Sequence, residues 1–285
     1  MSSQQPRLVR DSTKAPALSL RQASLDFGGR GGPLWSGLDL DVQPGEFLAV
    51  LGGNGSGKTT LLRCLLGLLP LTSGTLRIGG LSARAARRHV GYVPQQRRID
   101  PLTPLRARDM VGFGLDGHRW GISRRGRAEK IEAALDVVGA LDLANVPVAL
   151  LSGGQQQLVR IAQALACDPG LLLCDEPLLS LDLNHQRVVA SVVNQRRTAH
   201  ATSVIFVTHE INPILPYVDR VLYLAGGRFR IGTVDEVLTS PVLSDLYDAP
   251  VDVLRVGGRI IVAGVPELAD VDYHGHRHQS RMELP

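Results

Sequence analysis

Chemistry is concentrated first in the run Gly52-Gly53-Asn54-Gly55-Ser56-Gly57-Lys58-Thr59-Thr60. An apolar strand-like stretch, Phe47 to Leu51, precedes it, and a helix-like run with Leu61, Leu62, Leu65 and Leu66 follows. Glycines at Gly52, Gly55 and Gly57 let backbone N–H groups wrap a chain of phosphates. Lys58 can reach the outer phosphates, and Thr59 can ligate Mg²⁺. The remaining lysines are Lys14 and Lys130, and arginine supplies nearly all other positive charge. A flexible ammonium at Lys58 therefore suits a phosphate clamp rather than a general need for charge.

Leu171-Leu172-Leu173-Cys174-Asp175-Glu176 is an apolar strand ending in two acids. The C-terminal ends of parallel strands are where α/β proteins place ligands. Asp175 is the candidate to hold Mg²⁺, and Glu176 the candidate to orient and activate an attacking water. His209 closes another strand, Val204 to Thr208, within reach of a γ-phosphate. Gln95, after Tyr92-Val93-Pro94, closes a third, where its amide can bridge metal and water. The segment Leu151-Ser152-Gly153-Gly154-Gln155 puts a hydroxyl and two glycines just ahead of a helix-like run with Leu158, Ile161, Ala162 and Leu165. Such a helix start directs N–H groups and a positive dipole end at an anion. Together these pieces describe an ATPase using ATP and Mg²⁺.

The elements that must position them alternate between strand and helix. After residue 168 the order is a strand at 171–174, a helix near 186–197, and strands at 203–208 and 221–224. That alternation predicts a parallel sheet flanked by helices. Residues 99–168 are polar, arginine-rich and helical in period, and read as an inserted helical subdomain. Residues 1–16 are polar with two prolines and read as a disordered extension. Residues 251–266 read as a β-hairpin turning at Gly257-Gly258, and 267–285 as a flexible tail containing histidines.

The 285 residues are 44% hydrophobic, enough for a substantial core. No apolar run approaches the roughly 18–20 residues that span a bilayer, and the polar start predicts no export signal. Cys64, Cys167 and Cys174 lie in apolar segments without metal-ligand spacing and read as free core thiols in a reducing compartment. The charge of +4 comes with only 4% aromatic residues, none interleaved with the arginine clusters. Nucleic acid is therefore not an expected partner.

In this order the motifs resemble those of the ATP-binding-cassette (ABC) ATPases, over about residues 17–250. The resemblance implies a P-loop NTPase-type α/β sheet core flanked by helices, with an antiparallel β subdomain and an inserted α-helical subdomain. It implies that Ser152, Gly153, Gly154 and Gln155 bind the γ-phosphate of ATP held by a second copy, so that two ATP molecules are shared in a homodimer. It implies that Ser180-Leu181-Asp182 crosses between the copies, with Asp182 at the nucleotide, and that Phe27 stacks on adenine, a position often held by tyrosine. One departure follows the signature: Gln156-Gln157-Leu158 replaces the usual arginine, which bears on the salt bridges of that helix rather than on its phosphate contacts. An active enzyme is expected.

Residues 90–95, 99–104 and 208–212, with the tail hairpin, resemble the cassettes of zinc and manganese importers. Some of these positions are shared with importers of iron chelates, haem and cobalamin. That likeness implies an integral membrane permease, docked near residues 95–121, and an external metal-binding protein, with this subunit cytoplasmic on the inner face of the membrane. Exporter subunits and cassette ATPases of DNA repair or translation are alternatives, although one phosphate loop and the lack of a long coiled-coil insertion weigh against the latter. A nucleotide-binding regulator would show no turnover. His274, His276 and His278 alternate along the tail and form a candidate zinc site, against the reading of a polar tail.

Overall fold

The computed structural model describes residues 15–28, 32–95, 100, 103–116 and 126–264. Its centre is a six-stranded sheet, in which β3 (Phe47–Gly52), β5 (Val90–Val93), β6 (Leu171–Asp175), β7 (Ser203–Val207) and β8 (Arg220–Ala225) run parallel. An edge strand, β9 (Arg228–Gly232), runs antiparallel to β8, and the spatial order is β5-β6-β7-β3-β8-β9. The three middle strands are buried at every position, which explains why they read as unbroken apolar runs. Along β3, Phe47, Ala49 and Leu51 enter one core while Leu48 and Val50 enter the other.

The second core is closed by a three-stranded antiparallel sheet. In it β1 (Leu18–Leu25) lies between β2 (Trp35–Val42) and β4 (Ser73–Ile78). The helix α1 (Lys58–Leu65) supplies Leu61, Leu62 and Leu65 to that core, and the short α2 (Ala83–Ala86) follows β4. The first core lies against α3 (Ala107–Asp116), α4 (Arg127–Val137), α5 (Gly153–Leu165) and α6 (Leu183–His200). Three of these helices, α3 to α5, pack on one another between β5 and β6 in sequence.

Near the end, α7 (Val234–Val237) and α8 (Ser240–Tyr247) lead to a separate two-stranded sheet of β10 (Asp252–Val256) and β11 (Arg259–Ala263). Val256 pairs with Arg259 around the turn at Gly257-Gly258. No helix among the described residues is long and apolar enough to cross a membrane. Of the three free cysteines, Cys64 and Cys174 are buried, whereas Cys167 is only half-buried because α5 ends just before it.

Register explains how one sheet edge becomes a site. Asp175 pairs with Val207, and Val207 pairs with Val50, so these three residues form one row across β6, β7 and β3. Residues immediately beyond that row leave the same C-terminal edge. They include Gly52, Glu176 and His209, with Gln95 following β5 on the flank.

Candidate nucleotide site

Gly52 leaves β3 at φ 144°, and a Cβ there would crowd the Leu224 carbonyl and come within 2.7 Å of Ser56 Oγ. Only glycine fits, so the backbone can turn tightly back on itself. Gly57 caps α1 at φ 94° without a side-chain cap, over the indole of Trp35. The first turn of α1 thus keeps its positive end directed at the loop. Ser56 Oγ is buried and has no hydrogen-bond partner among the described residues, a donor suited to a phosphate oxygen. Asn54 and Gly55 lie exposed at the loop's tip, and Thr60 is half-buried behind it.

Lys58 is buried, and its Nζ donates to the carbonyls of Gly52 and Gly53 at 2.8 Å each. Burial pushes the pKa of its ammonium down, while Glu176 and Asp175 pull it back up. Thr59 Oγ1 donates to Asp175 Oδ1 at 3.2 Å, and the Tyr92 hydroxyl donates to Oδ2 at 3.3 Å. Burial raises the Asp175 pKa, opposed by these two hydrogen bonds, with the nearby Glu176 raising it further and Arg63 lowering it. A hydroxyl and a carboxylate facing each other form an all-oxygen donor set that suits Mg²⁺. Tyr92 joins this group because β5 and β6 are neighbours, which its place in the segment 90–95 does not show.

Glu176 takes a left-handed backbone, φ 47°, while its N–H donates to the Val207 carbonyl at 3.0 Å. Such a conformation is unusual for a residue with a Cβ and is held by the strand row beside it. Its Oε2 lies 3.6 Å from Nδ1 of the exposed His209. Gln95 is exposed beyond β5. Phe27 is 56% exposed, in the turn whose far limb, Leu34 and Trp35, touches Gly57. The structure therefore brings Gly52, Lys58, Thr59, Asp175, Glu176 and His209 to one edge, with Phe27 and Gln95 at its margins.

The signature forms a second group. Ser152 N-caps α5 in a reciprocal box: Ser152 Oγ accepts from the Gln155 N–H at 3.3 Å, and Gln155 Oε1 accepts from the Ser152 N–H at 2.9 Å. The helix begins at Gly153, so the two glycines form its first turn instead of preceding it. Gly154 is buried against His185 of α6, where a Cβ would lie 2.6 Å from Cγ and 2.7 Å from Nε2 of the ring. The absence of a Cβ there leaves room for the ring. His185 Nδ1 is 2.5 Å from Asp182 Oδ2, and Asp182 also caps α6 by accepting from the N–H groups of Asn184 and His185. His185 thus ties Asp182 to the signature, a link that sequence spacing cannot show.

The residues replacing the usual arginine have distinct environments. Gln156 Nε2 donates to the carbonyls of Val148 and Leu151 at 3.1 Å each, binding the start of α5 to the turn before it. Gln157 is fully buried, and nothing among the described residues pairs its amide. The hydrogen bonds of Ser152 and Gln155 close on each other, and those of Lys58 and Thr59 stay at the strand edge. His274, His276 and His278 lie outside the described residues, as do 96–99, 101–102 and 117–121 of the segment expected to meet the permease.

Comparison with known proteins identifies the family. The profile of the ABC transporter family matches residues 35–179. The chain belongs to the ABC transporter family. It is one of that family's ATPases and binds ATP. It is 32% identical over 265 residues to the zinc transport system ATP-binding protein TroB of Treponema pallidum, an alignment covering 92% of this chain and 96% of the relative. It is 38% identical over 228 residues to the Fe(3+) ions import ATP-binding protein FbpC of Streptomyces avermitilis; that alignment covers 79% of this chain but only 64% of the relative's length. Among solved structures, a metal-chelate type ABC transporter in an inward-facing conformation matches with TM-score 0.74 and 29% identity, over 87% of this chain and 96% of the other. A dimeric post-hydrolysis cassette bound to ADP and Pi matches with TM-score 0.66 and 27% identity, over 76% and 98%.

Proposed function

We propose that this protein is the ATP-hydrolysing subunit of an importer of a divalent metal ion, zinc or manganese, and that it works as a homodimer against a membrane permease. One observation supports the homodimer: the hydrogen bonds of Ser152 and Gln155 close on each other, those of Lys58 and Thr59 stay at the strand edge, and none of these joins the two groups. Two copies facing head to tail would set Ser152, Gly153, Gly154 and Gln155 of each against ATP held by the other. The dimeric structural relative and the likeness to the zinc system ATP-binding protein support the reading. The importer reading places the subunit at the cytoplasmic face of the membrane and calls for an external metal-binding protein.

The strand-edge residues suit each step. Phosphate oxygens offer Lys58 Nζ a better acceptor than the two carbonyls it holds, because they are charged. Ser56 Oγ gains the partner it lacks, and the first turn of α1 faces the phosphate chain. Thr59, Asp175 and Gln95 would hold Mg²⁺, which supplies charge neutralisation on the phosphates. Glu176 orients the attacking water and accepts its proton as the γ-phosphate leaves ADP. His209, beside Glu176, donates to the γ-phosphate, and Phe27 stacks on the base. Closure of the dimer then follows the difference in ATP contacts between open and closed forms.

The test is transport. The subunit is co-purified with its permease, placed in vesicles, and assayed for ATP-dependent uptake of zinc, manganese and Fe(3+). Uptake of zinc or manganese, abolished by Glu176→Gln, is expected. Uptake of Fe(3+) alone, or efflux, would replace the proposal.

A further inference from the structure

The hairpin β10–β11 is bonded to the loop that carries His209. Asn212 Nδ2 donates to the Ile260 carbonyl at 2.9 Å, and the Ile260 N–H donates to Asn212 Oδ1 at 2.8 Å. The carboxamide thereby pairs with β11 as a neighbouring strand's peptide group would. An aspartate offers acceptors only and cannot make both bonds.

The hairpin is a firm support for such a bond. Val251 and Ile260 are buried in the first core, Ser244 Oγ accepts from the Val251 N–H at 2.9 Å, and Ser240 Oγ accepts from the Val253 N–H at 2.8 Å. The loop is tied at its start, where the Thr208 N–H donates to the Val50 carbonyl and Thr208 Oγ1 accepts from the Glu210 N–H, both at 3.1 Å. Between the loop and Gly52-Gly53, however, lies a cavity of about 330 Å³, lined also by His209, Asn212, Tyr247 and Ile260. Close packing therefore does not fix the His209 side of the loop against the phosphate loop. The Asn212 bonds, at the wall of that cavity, tie the loop to the hairpin instead.

We infer that Asn212 is a positioning residue for ATP hydrolysis: by bonding to Ile260 of the hairpin it keeps the His209 loop set beside Glu176. The inference rests on the roles of His209 and Glu176 proposed above. It makes the C-terminal hairpin part of the hydrolytic apparatus through the His209 loop.

A kinetic cycle on the full chain, co-purified with its permease, tests it. Asn212→Ala, His209→Ala and the double variant are compared for kcat and KM with Mg-ATP. Asn212→Ala is expected to lower kcat about tenfold, the scale of a small misplacement of a reacting group, with KM for ATP unchanged. In the His209→Ala background the same substitution should change kcat little, because its target is gone. Asn212→Asp keeps the shape, serves where the alanine variant does not fold, and should give the same loss. Wild-type kcat in both Asn212 variants, or effects of Asn212 and His209 that multiply independently, would overturn the inference while leaving the roles of His209 and Glu176 standing. Wild-type kcat for His209→Ala would instead remove the reading on which the inference rests.

Discussion

Gly154→Ala should incur a steric cost against His185, and only while His185 is present. A methyl at Gly154 would overlap Cδ2 of the ring most closely and lie 2.6 Å from Cγ, whereas ordinary contacts begin near 3.4 Å. The ring must retreat by roughly an ångström, and its pairing with Asp182 at 2.5 Å opposes that retreat. Overpacking of this kind costs about 1–3 kcal/mol, with the low end expected here because the His185 side chain is 43% exposed and can swing outward. Against it stands the helix preference of alanine over glycine, up to about 1 kcal/mol and less in a first turn. The two terms nearly cancel in wild type, so a single substitution decides little. With His185→Ala in place the overlap vanishes and only the helix term remains, making Gly154→Ala stabilising. The double-mutant cycle should therefore show a coupling of about 1 kcal/mol or more. Urea unfolding of the four proteins, followed by far-ultraviolet circular dichroism without nucleotide, measures it. Strict additivity would refute the packing argument, as would a wild-type background in which Gly154→Ala stabilises as much as it does beside His185→Ala.

Asp175→Asn should abolish Mg-ATP turnover while leaving the nucleotide-free fold no less stable. Burial raises the Asp175 pKa above its ordinary 3.8, so ionising it costs the fold stability. That cost is absent below 3.8, develops as pH rises through the raised pKa, and remains above it. The stability advantage of the asparagine variant should grow over the same interval in acid-to-neutral unfolding series, and an advantage confined to low pH would contradict the assignment. Lys58→Ala should eliminate ATP binding measured by fluorescent-nucleotide titration, and wild-type affinity would remove Lys58 from the site. Alkylation at mildly alkaline pH, read by mass spectrometry, should label Cys167 first. Burial pushes the Cys64 thiol up to about 11 and shields Cys174 completely. Labelling of Cys174 ahead of Cys167 would show that the β6 core opens readily.

The strands that form the site were legible because they are buried on both faces. Phe47 to Leu51 and Leu171 to Cys174 have no polar interruption until the residues that do chemistry. The hairpin at Gly257-Gly258 was legible from its turn. Ser73–Ile78 was not, since it is mostly exposed and carries little apolar pattern, and Arg228–Gly232 was hidden by arginines on an edge strand. The helix Val234–Val237 was missed although Thr233 and Glu236 form a capping box that the sequence spells out. Within the site, the contacts of Tyr92, His185 and Asn212 are not legible in the sequence for one reason: each acts on a residue distant in sequence or across a helix pair. Gln156 answers the question raised by the missing arginine, because its two bonds to carbonyls brace the start of α5.

The shared ATP site is tested most directly by the solution mass of Glu176→Gln, with and without Ser152→Arg, in Mg-ATP. The first variant is expected to bind ATP without hydrolysing it. Light scattering should therefore give a dimer of twice the 30.7 kDa chain, reverting to monomer when ATP is removed. Adding Ser152→Arg places a bulky side chain where the partner's γ-phosphate would sit and should return the protein to monomer, although each chain keeps its own phosphate loop. A monomer for Glu176→Gln at saturating ATP, or a dimer unaffected by Ser152→Arg, would contradict a site divided between two copies.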